Sequence, residues 1–166
     1  MYEYLFNPMI PFNNSFVEVR EFDGFAFKIL KVDFRFANFT SPNFKDKRGI
    51  SSFACCKVDR FHIPPVWDCE CGLYSLKSLR LALSYLRFRR GYNIFKVEIE
   101  GEIVEHNLGY RSMRESIRSI YLPKNCPCGS FATYFFNCRA FCSVCARKEG
   151  REMILIDDLP ILVERY

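Results

Sequence analysis

The chain has 166 residues, a hydrophobic fraction of 49%, an aromatic fraction of 17% and a formal net charge of +5. That length supports one domain, or one domain plus a small metal-clamped module, and that apolar content excludes disorder of the chain as a whole. The 18 Phe and 9 Tyr supply enough buried area for a core without metals, while the modest positive charge permits nucleic acid or an acidic protein as partner without demanding either.

From the N-terminus, Met1 to Phe6 lack the cationic start and apolar run of a secretion signal, and no stretch reaches the length of a membrane span. Phe16–Arg20 and Phe25–Phe36 alternate in strand fashion, with Asp23-Gly24 expected as a hairpin turn between them. The apolar phase changes near Ile29-Leu30, which predicts a bulge. Residues 37–50, rich in Asn, Ser, Pro and Lys, read as an exposed loop.

Ser51–Val58 and Leu73–Leu76 read as short strands. Ser78 is an N-cap signal ahead of Leu79, Ala82, Leu83 and Leu86 at helical spacing, with Gly91 as the stop. The outer face of this helix carries Arg80, Arg87 and Arg90. Asn93–His106 alternates most regularly: Phe95, Val97, Ile99 and Ile103 oppose Lys96, Glu98, Glu100 and Glu102. Gly101 within it predicts a bend or a close backbone approach. Ile117–Leu122 is a further strand, and Met153–Ile156 and Ile161–Val163 are short apolar strands expected to return to the main sheet.

The expected architecture is α+β: a curved, mostly antiparallel sheet with one main helix and two zinc-clamped loop regions. Residues 1–124 form the core domain, 125–150 a Cys-, Phe- and Arg-rich insert, and 151–166 the returning strands.

Cysteine spacing carries the most chemical information. Cys69-Glu70-Cys71-Gly72 has Cys56 (or Cys55) and His62 upstream, and Cys126-Pro127-Cys128-Gly129 has Cys142 and Cys145 downstream. Clustered thiols in a reducing, cytoplasmic compartment favour metal over disulfides. Zinc takes four Cys or His ligands in structural sites, so two zinc ions are expected: one on Cys56, His62, Cys69 and Cys71, the other on Cys126, Cys128, Cys142 and Cys145. Gly129 lets the backbone fold around the second ion without a Cβ clash. Cys138 is a spare or replaces one of those four. Cys138, Cys142 and Cys145 also match the cluster-binding spacing of radical-SAM enzymes, but only 21 residues follow Cys145, too few for most of a barrel. Ligation by protein groups alone leaves no open coordination position, which points to structural rather than catalytic metal.

The run Cys69-Glu70-Cys71-Gly72-Leu73-Tyr74, the helix after it, and Gly101 to Arg111 resemble a set of small uncharacterised bacterial proteins. Those carry a Cys-x-Cys-Gly-Ile-Tyr-Ala segment and a later Glu-His-x-x-Gly-Tyr-Arg segment. The resemblance covers about residues 50–122, implies a shared domain, assigns no activity, and does not extend to the insert.

Three function classes follow. Arg87, Arg90, Arg111 and Arg114, with His106 and Tyr110, form a candidate ligand surface for RNA or DNA, in which arginines meet phosphates and rings stack on bases. A protein-binding inhibitor or adaptor, in virus–host or regulatory interplay, is the alternative. The third is an enzyme: Gly72-Leu73-Tyr74 with Ala82 and Tyr85 is faintly similar to the middle motif of ADP-ribosyltransferases, with Glu102 or Glu105 as the required acid. The favoured expectation is a zinc-stabilised, non-catalytic recognition module for nucleic acid.

Overall fold

The computed structural model describes residues 18–34, 38–40, 47–48, 50–56, 62–67, 69 and 71–166. The first strands are β1 (Glu18–Asp33), β2 (Asn38–Thr40), β3 (Lys47–Arg48), β4 (Ser51–Phe53) and β5 (Leu73–Leu76), followed by helix α1 (Leu79–Leu86). Then come β6 (Asn93–Glu105), β7 (Gly109–Ser112), β8 (Arg114–Leu122), β9 (Tyr134–Phe136) and β10 (Arg139–Phe141). Helix α2 (Ser143–Glu149), β11 (Ile154–Leu155) and β12 (Leu162–Arg165) complete the order. Strand dominates, so the fold is mostly β with some helix rather than evenly α+β.

β1 runs straight through Asp23-Gly24, pairing antiparallel with β6 from Glu18 opposite Glu105 to Leu30 opposite Asn93. The expected hairpin is therefore not formed, because Gly24 is used as an ordinary ladder residue facing Ile99. Nor is there a bulge at Ile29-Leu30. Both side chains are buried because the sheet is covered on both sides there: Leu30 faces the main core, and Ile29 packs with Leu76, Ala82 and Ile94 under α1. A change of apolar phase signalled two covered faces, not an extra residue.

β6 is the central strand. One edge carries β1; the other carries β8 along Ile94–Ile99 and β7 along Ile103–Glu105. β7 pairs with β5, and β5 meets β1 at Phe27 opposite Leu76, so β1, β6, β7 and β5 close into a small barrel-like sheet. The far edge of β8 takes β4 antiparallel and β12 parallel. The register between β6 and β8 shifts once, between Lys96 and Val97, where Arg118 is the extra residue on β8. A Cβ at Gly101 would meet open space, so its φ of +91° explains the glycine, not a close approach.

Ser78 caps α1 by accepting from the Leu81 N–H at 3.2 Å, and Ala82 is fully buried against the sheet. Part of the stretch expected as an exposed loop is strand instead: Phe39 on β2 is 1% exposed. Its ring meets Phe95 edge-on at 5.4 Å and Phe34 at 6.4 Å, and Phe34 in turn meets Phe135 of β9 at 5.4 Å. This aromatic chain joins the central strand to the insert, and one continuous core contains Phe95, Ile99 and Ile120 together with Ala132, Phe135 and Phe141. β11 pairs with β9, so Ile154 and Leu155 belong to the insert's three-stranded sheet, and only β12 returns to the main sheet. Val17 and earlier residues, and Lys57 and Val58 of the strand expected after Ser51, lie outside the described residues.

Candidate metal centres and the surface around them

Two groups of side chains converge. Cys56, His62, Cys69 and Cys71 bring one ligand atom each to within 4.8 Å of one another, as do Cys126, Cys128, Cys142 and Cys145. Cys56 Sγ and Cys69 Sγ are 3.7 Å apart, and Cys128 Sγ and Cys142 Sγ 3.6 Å. Two sulfurs held about 2.3 Å from one ion at a tetrahedral angle stand about 3.8 Å apart, so the spacing fits ligands sharing a metal. It is far beyond a disulfide bond, and no disulfide joins any two of the nine cysteines. Both groups can hold a metal ion.

The first group is assembled from three places. Cys56 follows β4, His62 lies 3.2 Å through Nε2 from Cys71 Sγ, and Cys69 and Cys71 lead into β5. Cys55, next to Cys56, is exposed, as alternation along an extended chain requires. Gly72 is needed twice over: its φ is +124°, and a Cβ there would lie 3.1 Å from Arg111 Cβ. Burial, with the Cys69 thiol beside it, pushes the Cys71 thiol up to about 11, so a metal ion must displace its proton.

The second group uses a turn and a helix start. The Gly129 N–H donates to the Cys126 carbonyl at 2.8 Å, which brings Cys126 and Cys128 together, and Cys142 caps α2, its Sγ accepting from the Cys145 N–H at 3.5 Å. Gly129 has φ +90° with open space around its missing Cβ, so conformation and not a clash demands it. Hydrogen bonds from the backbone and side chain of Ser130 draw the Cys128 thiol down to about 6, while hydrogen bonding to Cys128 and Cys126 pushes Cys145 up to about 12. Cys138 is not among the four; its buried thiol donates to the Val32 carbonyl at 3.9 Å. The Cys138, Cys142, Cys145 triplet is thus not assembled.

The six residues expected to make a ligand surface do not share one. His106, Tyr110 and Arg111 are buried, because residues 106–108 turn the chain back into β7 where a strand end was expected to stay polar and exposed. Tyr110 packs on Phe22 at 4.8 Å. Arg111 spans the base of the first cysteine group: Nη1 donates to the carbonyls of Cys69 and Cys71 (the latter at 3.1 Å), Nη2 to Trp67 O at 3.3 Å, and Nε to His106 Nε2 at 2.9 Å. Burial, with Arg111 and Lys77 nearby, lowers His106 to about 4, so the ring is neutral and accepts. Arg114 lies 3.8 Å from Glu100 and over the Phe53 ring.

Arg87 and Arg90 are exposed at the end of α1, and Arg114 is exposed on β8, on another element. Glu105, expected as a catalytic acid in one reading, receives Arg20 at 2.5 Å and Lys77 at 2.6 Å on its two oxygens. Burial would raise its carboxyl, but those partners outweigh it and hold it below the usual range. Phe88, close enough in sequence to Arg87 and Arg90 to be expected as a stacking ring, is 83% exposed between Arg87 and Arg89, within the acid-free run from Cys71 to Val97.

Among the described residues no helix is long and apolar enough to cross a membrane. Comparison with protein-family models, curated proteins and solved structures gave no match.

Proposed function

We propose that this chain is a zinc-stabilised, non-catalytic recognition module that binds single-stranded RNA or DNA through the C-terminal end of α1. The ligand sets, three thiolates with an imidazole and four thiolates, suit zinc among common ions. The observation that carries the nucleic-acid reading is Phe88, the most exposed large apolar side chain among the described residues, set among Arg87, Arg89 and Arg90. Between Glu70 and Glu98 the sequence holds six cations and no acid. Lys77 and Lys96 are engaged with Glu105 and Glu164, whereas no carboxylate among the described residues pairs with Arg80, Arg87, Arg89 or Arg90. An exposed ring in an unneutralised basic patch stacks a base while its neighbours hold phosphates.

The test is fluorescence anisotropy with short single-stranded RNA and DNA at two salt concentrations. If three arginines each hold a phosphate, affinity falls roughly twentyfold from 50 to 200 mM salt. F88A should cost about 1–3 kcal/mol of binding by loss of stacking. Absence of binding at low salt, or an F88A protein that binds like wild type, overturns the reading.

A second reading, a protein-binding adaptor, is favoured by Ile63 and Trp67, 76% and 68% exposed on the loop of the first cysteine group. A stoichiometric protein partner recovered without nucleic acid, and lost in W67A, would support it.

A further inference from the structure

Arg111 is 3% exposed, and four of its N–H groups are spent on three carbonyls and one neutral imidazole. No carboxylate among the described residues is paired with it. A guanidinium stays charged at any accessible pH, and a buried charge without a counter-charge is strongly destabilising. Lys28, the other buried Lys or Arg among the described residues, obeys that rule by pairing with Glu115. Two of the carbonyls Arg111 grips belong to Cys69 and Cys71, the paired cysteines of the first group.

Metal ligation supplies the missing charge. A divalent ion bound by three deprotonated cysteines and a neutral histidine carries one net negative charge, because three thiolate charges exceed two on the metal. We infer that Arg111 is the positioning residue and counter-charge of the first metal centre: its fork fixes the Cys69 and Cys71 backbone, and its positive charge neutralises the loaded Cys3His site. The inference rests on the reading of this group as a zinc site. It explains why this arginine is buried rather than displayed, and why Gly72, whose Cβ would press on Arg111, stands directly after Cys71. It also sets a preference: a divalent ion makes centre plus Arg111 neutral, whereas a monovalent ion such as copper(I) leaves an excess negative charge.

The experiment titrates cobalt(II), with zinc in competition, into metal-free full-length protein. Cobalt absorption distinguishes a three-thiolate site from a four-thiolate one, so the second centre reports in the same cuvette that each variant is folded. R111Q keeps a polar side chain and removes the charge; R111K keeps the charge and loses the fork. R111Q should weaken the first centre roughly 10- to 100-fold and leave the second unchanged. R111K should hold the first centre within a few-fold of wild type, while both variants lose thermal stability through the broken fork.

If wild type takes no metal at the first centre, the zinc reading itself fails. If wild type binds there and R111Q binds equally, or R111K loses as much affinity as R111Q, the counter-charge assignment is overturned. Should R111Q not fold, R111K decides alone: affinity retained supports the assignment, and affinity lost removes it.

Discussion

Cys138 donates its buried thiol to the carbonyl oxygen of Val32, 106 residues earlier in the chain, while its own carbonyl accepts from Asn93 Nδ2 at 3.4 Å. With φ +60°, it occupies the β9–β10 turn in a conformation that L side chains rarely adopt. This cysteine, one of two outside the metal groups, thus fastens the insert to β1 and β6, while its neighbours four and seven residues on face the second metal group.

That division separates the cysteines by experiment. C138A should keep two bound metal ions and lose about 1–2 kcal/mol of stability, because it surrenders buried packing and a hydrogen bond. C142S should lose one ion and several kcal/mol with it, since metal binding energy is folding energy where ligands are brought together only by the fold. Elemental analysis with chemical denaturation checks both; a C138A protein with one metal would contradict the assignment.

Lys28 and Glu115 form an ion pair at 7% and 4% exposure, and Glu115 Oε1 is buried with no hydrogen bond. Desolvation makes such a pair costly to break and easy to replace. K28M or E115Q alone should therefore destabilise by about 3–5 kcal/mol, by stranding the partner. K28M combined with E115L should return to within about 1 kcal/mol of wild type or exceed it. Urea midpoints of the four proteins give the comparison, and additive losses in the double variant would refute it.

His106 has its folded pKa lowered from 6.5 to about 4, chiefly by burial and then by the adjacent Arg111 and Lys77. Between those values the unfolded chain binds the proton and the folded chain does not, so acidification favours unfolding. The contribution is complete above pH 6.5 and is lost as pH falls towards 4, for roughly 3 kcal/mol in all. H106N, which keeps an acceptor but cannot titrate, should remove this part of the acid sensitivity; an unchanged wild-type-minus-variant difference across that window would show the ring does not matter. Acid release of metal affects both proteins and cancels in the difference.

The two cysteine-following glycines should respond differently to alanine. G72A meets Arg111 Cβ at 3.1 Å as well as an unfavourable φ, so it should cost about 2–4 kcal/mol and weaken metal at the first group. G129A has open space and suffers only its φ of +90°, about 1–2 kcal/mol, with metal retained at the first group. Equal losses in thermal melts would mean that the contact with Arg111 gives way easily.

Local chemistry was legible in the chain. Ser78 ahead of a period-3.6 apolar pattern determined α1, the alternation after Asn93 determined β6, and the spacing of cysteines with His62 separated two groups whose ligand atoms converge. Each of these is written in neighbours a few residues apart, where backbone preference and side-chain period act directly. The tertiary structure alone decided that β1 passes through Asp23-Gly24, because thirteen cross-strand pairs with β6 outweigh a two-residue turn signal. It alone chose Cys56 over the exposed Cys55, and tied Cys138 to Val32 instead of to a metal group. Most of all it sent Arg111 inward, where carbonyls some 40 residues away satisfy its guanidinium. Burial is set by which strands meet, and those meetings join residues whose separation along the chain leaves no mark on either one's neighbours.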